Sequence, residues 1–156
     1  MMFLGLVVMG TLTSAGIARL ARHGATDWTK FMRHGLSLGL LLVGSDHFAT
    51  PGRYVPMIDG FLPMPHVLVA ITGLCELAGA VGLLMPRTRR LAAMALAAYF
   101  VAVFPANVAN ALHGVDIEGL PQANWYYWLR LALQPVFVWW ALVAGGWFAF
   151  WPARRA

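Results

Sequence analysis

The chain has 156 residues, of which 60% are apolar and only 11% are Asp, Glu, Lys or Arg, against roughly 25% charged in an ordinary soluble domain. So few charges cannot coat a water-soluble globule of this size, which excludes disorder, a coiled coil and a typical cytosolic enzyme and leaves an integral membrane protein. The net charge of +5 does not point to nucleic acid, because the basic residues, ten Arg and one Lys, sit in short clusters between apolar runs and form no basic face for a duplex.

A bilayer core needs about 20 predominantly apolar residues per helix. Five stretches read as helices of that kind: Met2 to about Leu20, Phe31 to about His47, His66 to about Met85, Leu91 to about Leu112, and Trp125 to about Trp151. No positive charge precedes the first, while Arg19, Arg22, Lys30 and Arg33 follow it, so it reads as a retained helix with its N-terminus outside, not a cleaved signal. The second is the shortest and ends in Gly-Ser-Asp-His-Phe, which sets Asp46 and His47 at its outer end. Thr50 to Pro65 is rich in Pro and Gly yet carries Tyr54, Phe61 and Met64. It is too apolar for a free solvated loop and is expected to fold over the outer mouth of the bundle.

The third stretch carries Glu76 among Thr72, Gly73, Gly79, Ala80 and Gly82. Glu76 is ten residues from His66, which is about 15 Å of helix at 1.5 Å per residue. Pro86 with Arg87, Arg89 and Arg90 makes a tight basic turn that sets the third and fourth helices antiparallel. The fourth has Asn107, Asn110 and His113 above Pro105, and the last has Arg130 and Gln134 one turn apart, followed by Pro135. Single Cys75 lies in an apolar run and excludes an intramolecular disulfide or a CxxC motif.

Basic residues alternate along this order. Residues 19–33, the Pro86–Arg90 turn and Arg154 with Arg155 hold nine, whereas 46–65 and 111–124 hold only Arg53 beside Asp46, Asp59, Asp116 and Glu118. The positive-inside bias then gives five helices with the N-terminus outside and the C-terminus cytoplasmic. The organisation expected is residues 1–30 as an extra N-terminal transmembrane helix with a basic loop, and 31–156 as a four-helix transmembrane bundle.

Charged and amide side chains are costly at bilayer depth and are by default functional or paired. Glu76, His47 and Asp46 are therefore the candidates for acid–base chemistry, and Asn107, Asn110, Arg130, Gln134 and Tyr54 for ligand binding, all at the outer half of the bundle. The bland readings are interhelical hydrogen bonding for the amides, a capping or interfacial role for His47, and a register-setting ion pair between Glu76 and Arg130. No HExxH, P-loop, GxGxxG or zinc-ligand spacing occurs, and no metal is assigned.

His47-Phe48 with Pro51 and Tyr54, Leu62-Pro63-x-Pro65, Gly73 with Glu76 and Gly79, Gly82-Leu83-Leu84-x-Pro86 with Thr88-Arg89-Arg90, Phe104-Pro105-Ala106-Asn107, and Arg130-Leu131 with Gln134 occur in this order. Together they resemble the DoxX family of small bacterial membrane proteins over roughly residues 31–145. The resemblance implies a four-helix bundle in the bacterial cytoplasmic membrane and a loose association with redox systems. Two departures stand out: the extra N-terminal helix, and Ala132 where the family's last motif has proline.

The leading expectation is a metal-free membrane component of an oxidoreductase system whose outward-facing polar pocket binds a quinone or a small apolar ligand. The alternatives are an intramembrane acid–base enzyme (isomerase, cyclase or epoxide-opening) on an apolar substrate, and a structural accessory subunit packing against partner membrane subunits. No cofactor other than a quinone is implied.

Overall fold

The computed structural model describes residues 2–20, 27–60, 62–113 and 124–148, without the side chains of Met2, Arg19, Leu20 and Asn124. Phe61, Arg22, Asp116, Glu118, Trp151, Arg154 and Arg155, which entered the sequence reading, lie outside the described residues. Among the described residues the chain is all-helical: α1 Met2–Leu20, α2 Trp28–Ala49, α3 Pro65–Leu84, α4 Arg89–Ala102, α5 Phe104–His113 and α6 Asn124–Gly145, with two short 3₁₀ turns, Pro51–Arg53 and Val55–Met57, between α2 and α3.

Local chemistry sets most of these boundaries. Asp27 precedes α2 and its carboxylate accepts the Lys30 amide at 3.2 Å, which satisfies one of the unpaired N–H groups of the first turn. Pro65 opens α3, where its missing N–H costs nothing. At the other end of α3, Thr88 Oγ1 donates to the Gly82 carbonyl at 3.0 Å, closing the basic turn into α4. Pro105 cannot donate to the preceding turn, and the helix breaks at Val103, so that α4 and α5 are two segments of one span. Pro135, by contrast, sits inside an uninterrupted α6.

Helices α2, α3, α4 and α6 pack in a closed ring, with α5 against α6 and α1 against α2. The core at the ring's centre includes Leu36, Leu40, Leu83, Leu96, Phe100 and Ala141, joined by Val7 from α1. Several glycines make close approaches between helices, and two of them bear on the fold around the site. A Cβ on Gly35 would lie 2.1 Å from Thr11 Oγ1 and 2.4 Å from the Val7 carbonyl oxygen, so α1 seats directly on the α2 backbone. A Cβ on Gly73 would lie 2.7 Å from the His47 Cβ, so α3 approaches α2 where His47 and Glu76 must meet. Small residues at such contacts are how apolar helices pack without a hydrophobic drive between them.

Three helices are long and apolar enough to cross a membrane: Pro65–Leu84, Arg89–His113 and Trp125–Gly145. Helix α1 supplies a shorter apolar run, Phe3–Ala18, and α2 carries Lys30, Arg33, Asp46 and His47 within it. Leu74, Leu91, Val101 and Leu112 point outward and stay exposed, an apolar exterior suited to lipid and unsuited to water.

Candidate functional site

Toward the ends of α2 and α5 and the first turns of α6, the ring encloses a cavity of ≈ 210 Å³ roofed by Tyr54, Met57 and Ile58 of the connecting loop. The loop therefore covers the mouth, as its apolar composition required. Of the eight residues singled out from the sequence, seven line this cavity: Glu76, His47, Asn107, Asn110, Arg130, Gln134 and Tyr54.

Asp46 does not. Its carboxylate is taken by three neighbours: Thr50 Oγ1 donates to Oδ1 at 2.8 Å, and Arg53 Nη1 and the Tyr54 hydroxyl each donate to Oδ2 at 2.7 Å. A carboxylate so occupied is a clamp that fastens the loop to the end of α2, not a base facing a ligand. Burial, and then the hydrogen bond to Asp46, push the Tyr54 phenol above its ordinary range, so it stays a donor in this clamp. The same ring stacks on His47, with centroids 3.9 Å apart and planes 17° apart. Asp46 thus acts on the cavity through its neighbours Tyr54 and His47 and does not line it.

One wall is acidic. Glu76 is 7% exposed, and its Oε1 accepts from the Tyr99 hydroxyl at 2.9 Å. Its Oε2 lies 3.6 Å from His47 Nδ1 and has no hydrogen-bond partner. His47 Nδ1 is 2.9 Å from the Val43 carbonyl, to which an N–H at that position donates. In the neutral ring Nε2 is then the acceptor.

The facing wall is a chain of amides. Arg130 Nη2 donates to Asn107 Oδ1 at 3.2 Å, Asn107 Nδ2 donates to Gln134 Oε1 at 3.3 Å, and Gln134 Nε2 donates to the Phe100 carbonyl in the last turn of α4, just before the break. The break at Val103 and the amide pair therefore explain each other: a backbone acceptor in the kinked span is met by a side chain from α6. Asn110, 3% exposed, leaves its Nδ2 with no partner. Phe3, Phe100 and Phe137 also line the cavity and form an aromatic cluster, the Phe137 ring centroid standing 5.0 Å from that of Phe3 and 5.9 Å from that of Phe100.

Arg130 reaches Asn107 and not Glu76, so the ion pair weighed from the sequence does not form; Tyr99 and His47 meet the acid instead. Lining residues that the sequence reading did not single out include Tyr99, Phe3, Phe100, Phe137 and Thr72. Tyr99 is a lone phenol in an Ala-rich helix, and its hydroxyl needed a partner at the depth of Glu76. Phe3 and Thr72 carry no comparable sequence signal. Among the described residues no group of three or more His, Cys, Asp or Glu gathers as a metal site.

Fold and site together define a protein that is all-helical among the described residues, with an apolar exterior, helices able to cross a membrane, and one end hollowed into a mainly apolar cavity that carries two groups of polar side chains. Residues 36–144 match the family described as "Domain of unknown function (DUF8561)", and the chain belongs to that family. Helix α1 and the start of α2 precede the matched segment. No curated protein and no solved structure matches the chain.

Proposed function

We propose that the chain is a DoxX-like protein of the bacterial cytoplasmic membrane, spanning it five times with the N-terminus outside and the C-terminus cytoplasmic, whose cavity binds a quinone or a similar small ring compound for an oxidoreductase system. One observation carries the ligand reading: two buried polar atoms, Glu76 Oε2 and Asn110 Nδ2, belong to residues that line the same cavity and have no hydrogen-bond partner. A buried polar atom left unpaired costs about 1–3 kcal/mol, and a bound molecule that pairs with it recovers that cost. The two walls favour a molecule with an acceptor at one edge, for Asn110 and the free nitrogens of Arg130, and a hydroxyl or second polar atom at the other, for Glu76 and His47. The phenylalanine cluster lining the same cavity suits the faces of a flat ring.

Titration of the purified protein with a short-chain quinone analogue tests this. Binding is expected, weakened about tenfold or more by Arg130→Ala and by His47→Ala, the loss of one charged or buried hydrogen-bonding group. No binding, or binding indifferent to both substitutions, overturns it.

The 3.6 Å approach of Glu76 Oε2 to His47 Nδ1 favours a second reading, acid–base chemistry on an apolar substrate with these two groups handling the proton. Lipid extracts from cells carrying wild type and Glu76→Gln, compared by mass spectrometry, separate the two. A substrate and product shift supports the enzyme, and identical profiles count against it.

A further inference from the structure

The end of the bundle opposite the cavity holds a second arrangement of charge that the ligand reading does not use. Arg33, in the second turn of α2, is 9% exposed, and its Nε donates to the Ala144 carbonyl in the last turn of α6 at 2.8 Å. Arg89, at the start of α4, donates from Nε to the Leu83 carbonyl at the end of α3 at 3.3 Å. Each arginine thus satisfies a carbonyl that its helix cannot pair, at the end of the helix dipole that favours a cation.

Both contacts use Nε. Among the described residues the Nη nitrogens of Arg33 and Arg89 have no hydrogen-bond partner and neither residue forms an ion pair. A guanidinium presents those nitrogens as a fork that matches the oxygens of phosphate. The two charges lie near enough to repel each other, and Lys30 joins them in the field acting on His34. The acid within range of Arg33 is Asp27, whose carboxylate already caps the Lys30 amide. The described segments at this end, 27–33 and 86–90, hold five basic residues and that one acid. Cations held together with so little opposite charge are costly, and the chain has no second acid here to offset them.

We propose that Arg33 and Arg89 together bind the phosphate of an acidic phospholipid, its headgroup between the ends of α2, α3, α4 and α6 and its acyl chains along the outside of the bundle. The inference rests on the membrane reading and is independent of what fills the cavity. A lipid suits the place better than free phosphate because Arg89 is flanked by outward apolar side chains, Leu84, Met85 and Leu91, the last 68% exposed. Basic pockets between helices at the positively charged face of a membrane take anionic headgroups in this way.

The test is native mass spectrometry of the full chain in detergent, given equimolar phosphatidylglycerol and phosphatidylcholine. Phosphatidylglycerol should be retained in preference, and Arg89→Gln should reduce its retention by about fivefold. Arg87→Gln, an exposed arginine in the same turn, should change it by less than about twofold, because exposed charges are screened. Because Arg33→Gln also strips the cap from α6, Arg33→Lys is the second variant: it keeps the charge, loses the fork, and should weaken retention with helicity unchanged by circular dichroism. Equal retention of the two lipids, equal loss in Arg87→Gln and Arg89→Gln, or displacement of phosphatidylglycerol by inorganic phosphate would overturn the proposal. Equal retention would leave the membrane reading standing, whereas recovery of the chain in the aqueous fraction without detergent would overturn that reading itself.

Discussion

Asp46 and Glu76 sit in adjoining parts of the molecule, both beside a tyrosine hydroxyl and both next to His47, yet their surroundings are opposite in kind. Asp46 is half-buried and receives donors from Thr50, Arg53 and Tyr54 on its two oxygens. Glu76 is buried, lines a cavity, receives one donor from Tyr99, and leaves an oxygen unpaired. A carboxylate whose hydrogen bonds are complete contributes to fastening the fold. One whose bonds are incomplete costs stability. Two acids of similar appearance in the sequence therefore divide into a fastener and, on the proposed reading, a ligand-binding group.

The comparison breaks most severely at Gly73, where any side chain meets His47 and Phe48. Gly73→Val should separate α2 from α3, destabilise the protein by about 3 kcal/mol or prevent its folding, and abolish quinone-analogue binding. Thermal unfolding in detergent followed by circular dichroism reads the first effect, and titration the second.

The double variant Glu76→Met with Tyr99→Phe should act in the opposite sense on stability. Removing the unpaired oxygen together with the hydroxyl that donates to its neighbour, while keeping the volume, should raise stability by about 1–2 kcal/mol and reduce ligand binding at least about tenfold. A loss of stability in this variant would show that Glu76 is a structural group after all. Asp46→Asn should lower stability by about 1 kcal/mol, since the ion pair is only partly buried. Its effect on binding should be smaller, about threefold, arising through the looser Tyr54 roof. Smallest of all, Thr72→Val should change stability by less than about 0.6 kcal/mol, because the Thr72 hydroxyl already bonds within its own helix to the Val69 carbonyl at 2.8 Å. Binding to Thr72→Val should match wild type.

The sequence made depth legible and left azimuth hidden. Spacing along each apolar run set Glu76, Asn107, Asn110, Arg130 and Gln134 at comparable depths, and the cavity gathers all five. Which group faces which depends on the rotation of each helix about its axis, and that is set by packing between helices, so Arg130 turns to Asn107 while Tyr99 takes Glu76. The Asp46 clamp was more legible than the reading allowed, since Thr50, Arg53 and Tyr54 follow at four, seven and eight residues and the chain needs only to turn at Pro51 to bring them back. The two unpaired guanidinium forks were visible only as basic clusters, because Arg33 caps Ala144, far away in the chain, and Arg89 reaches back six residues to Leu83 only once the turn between α3 and α4 has formed.

Phe3 carries a consequence of its own. The polar walls belong to residues inside the family match at 36–144, whereas Phe3, which meets both Phe100 and Phe137, lies in the helix that precedes it. On the proposed ligand reading, the grip would come from the matched segment, while α1 would add Phe3 to the aromatic surface that Phe100 and Phe137 present, so a different N-terminal helix on the same matched segment would keep the grip and alter the silhouette it accepts.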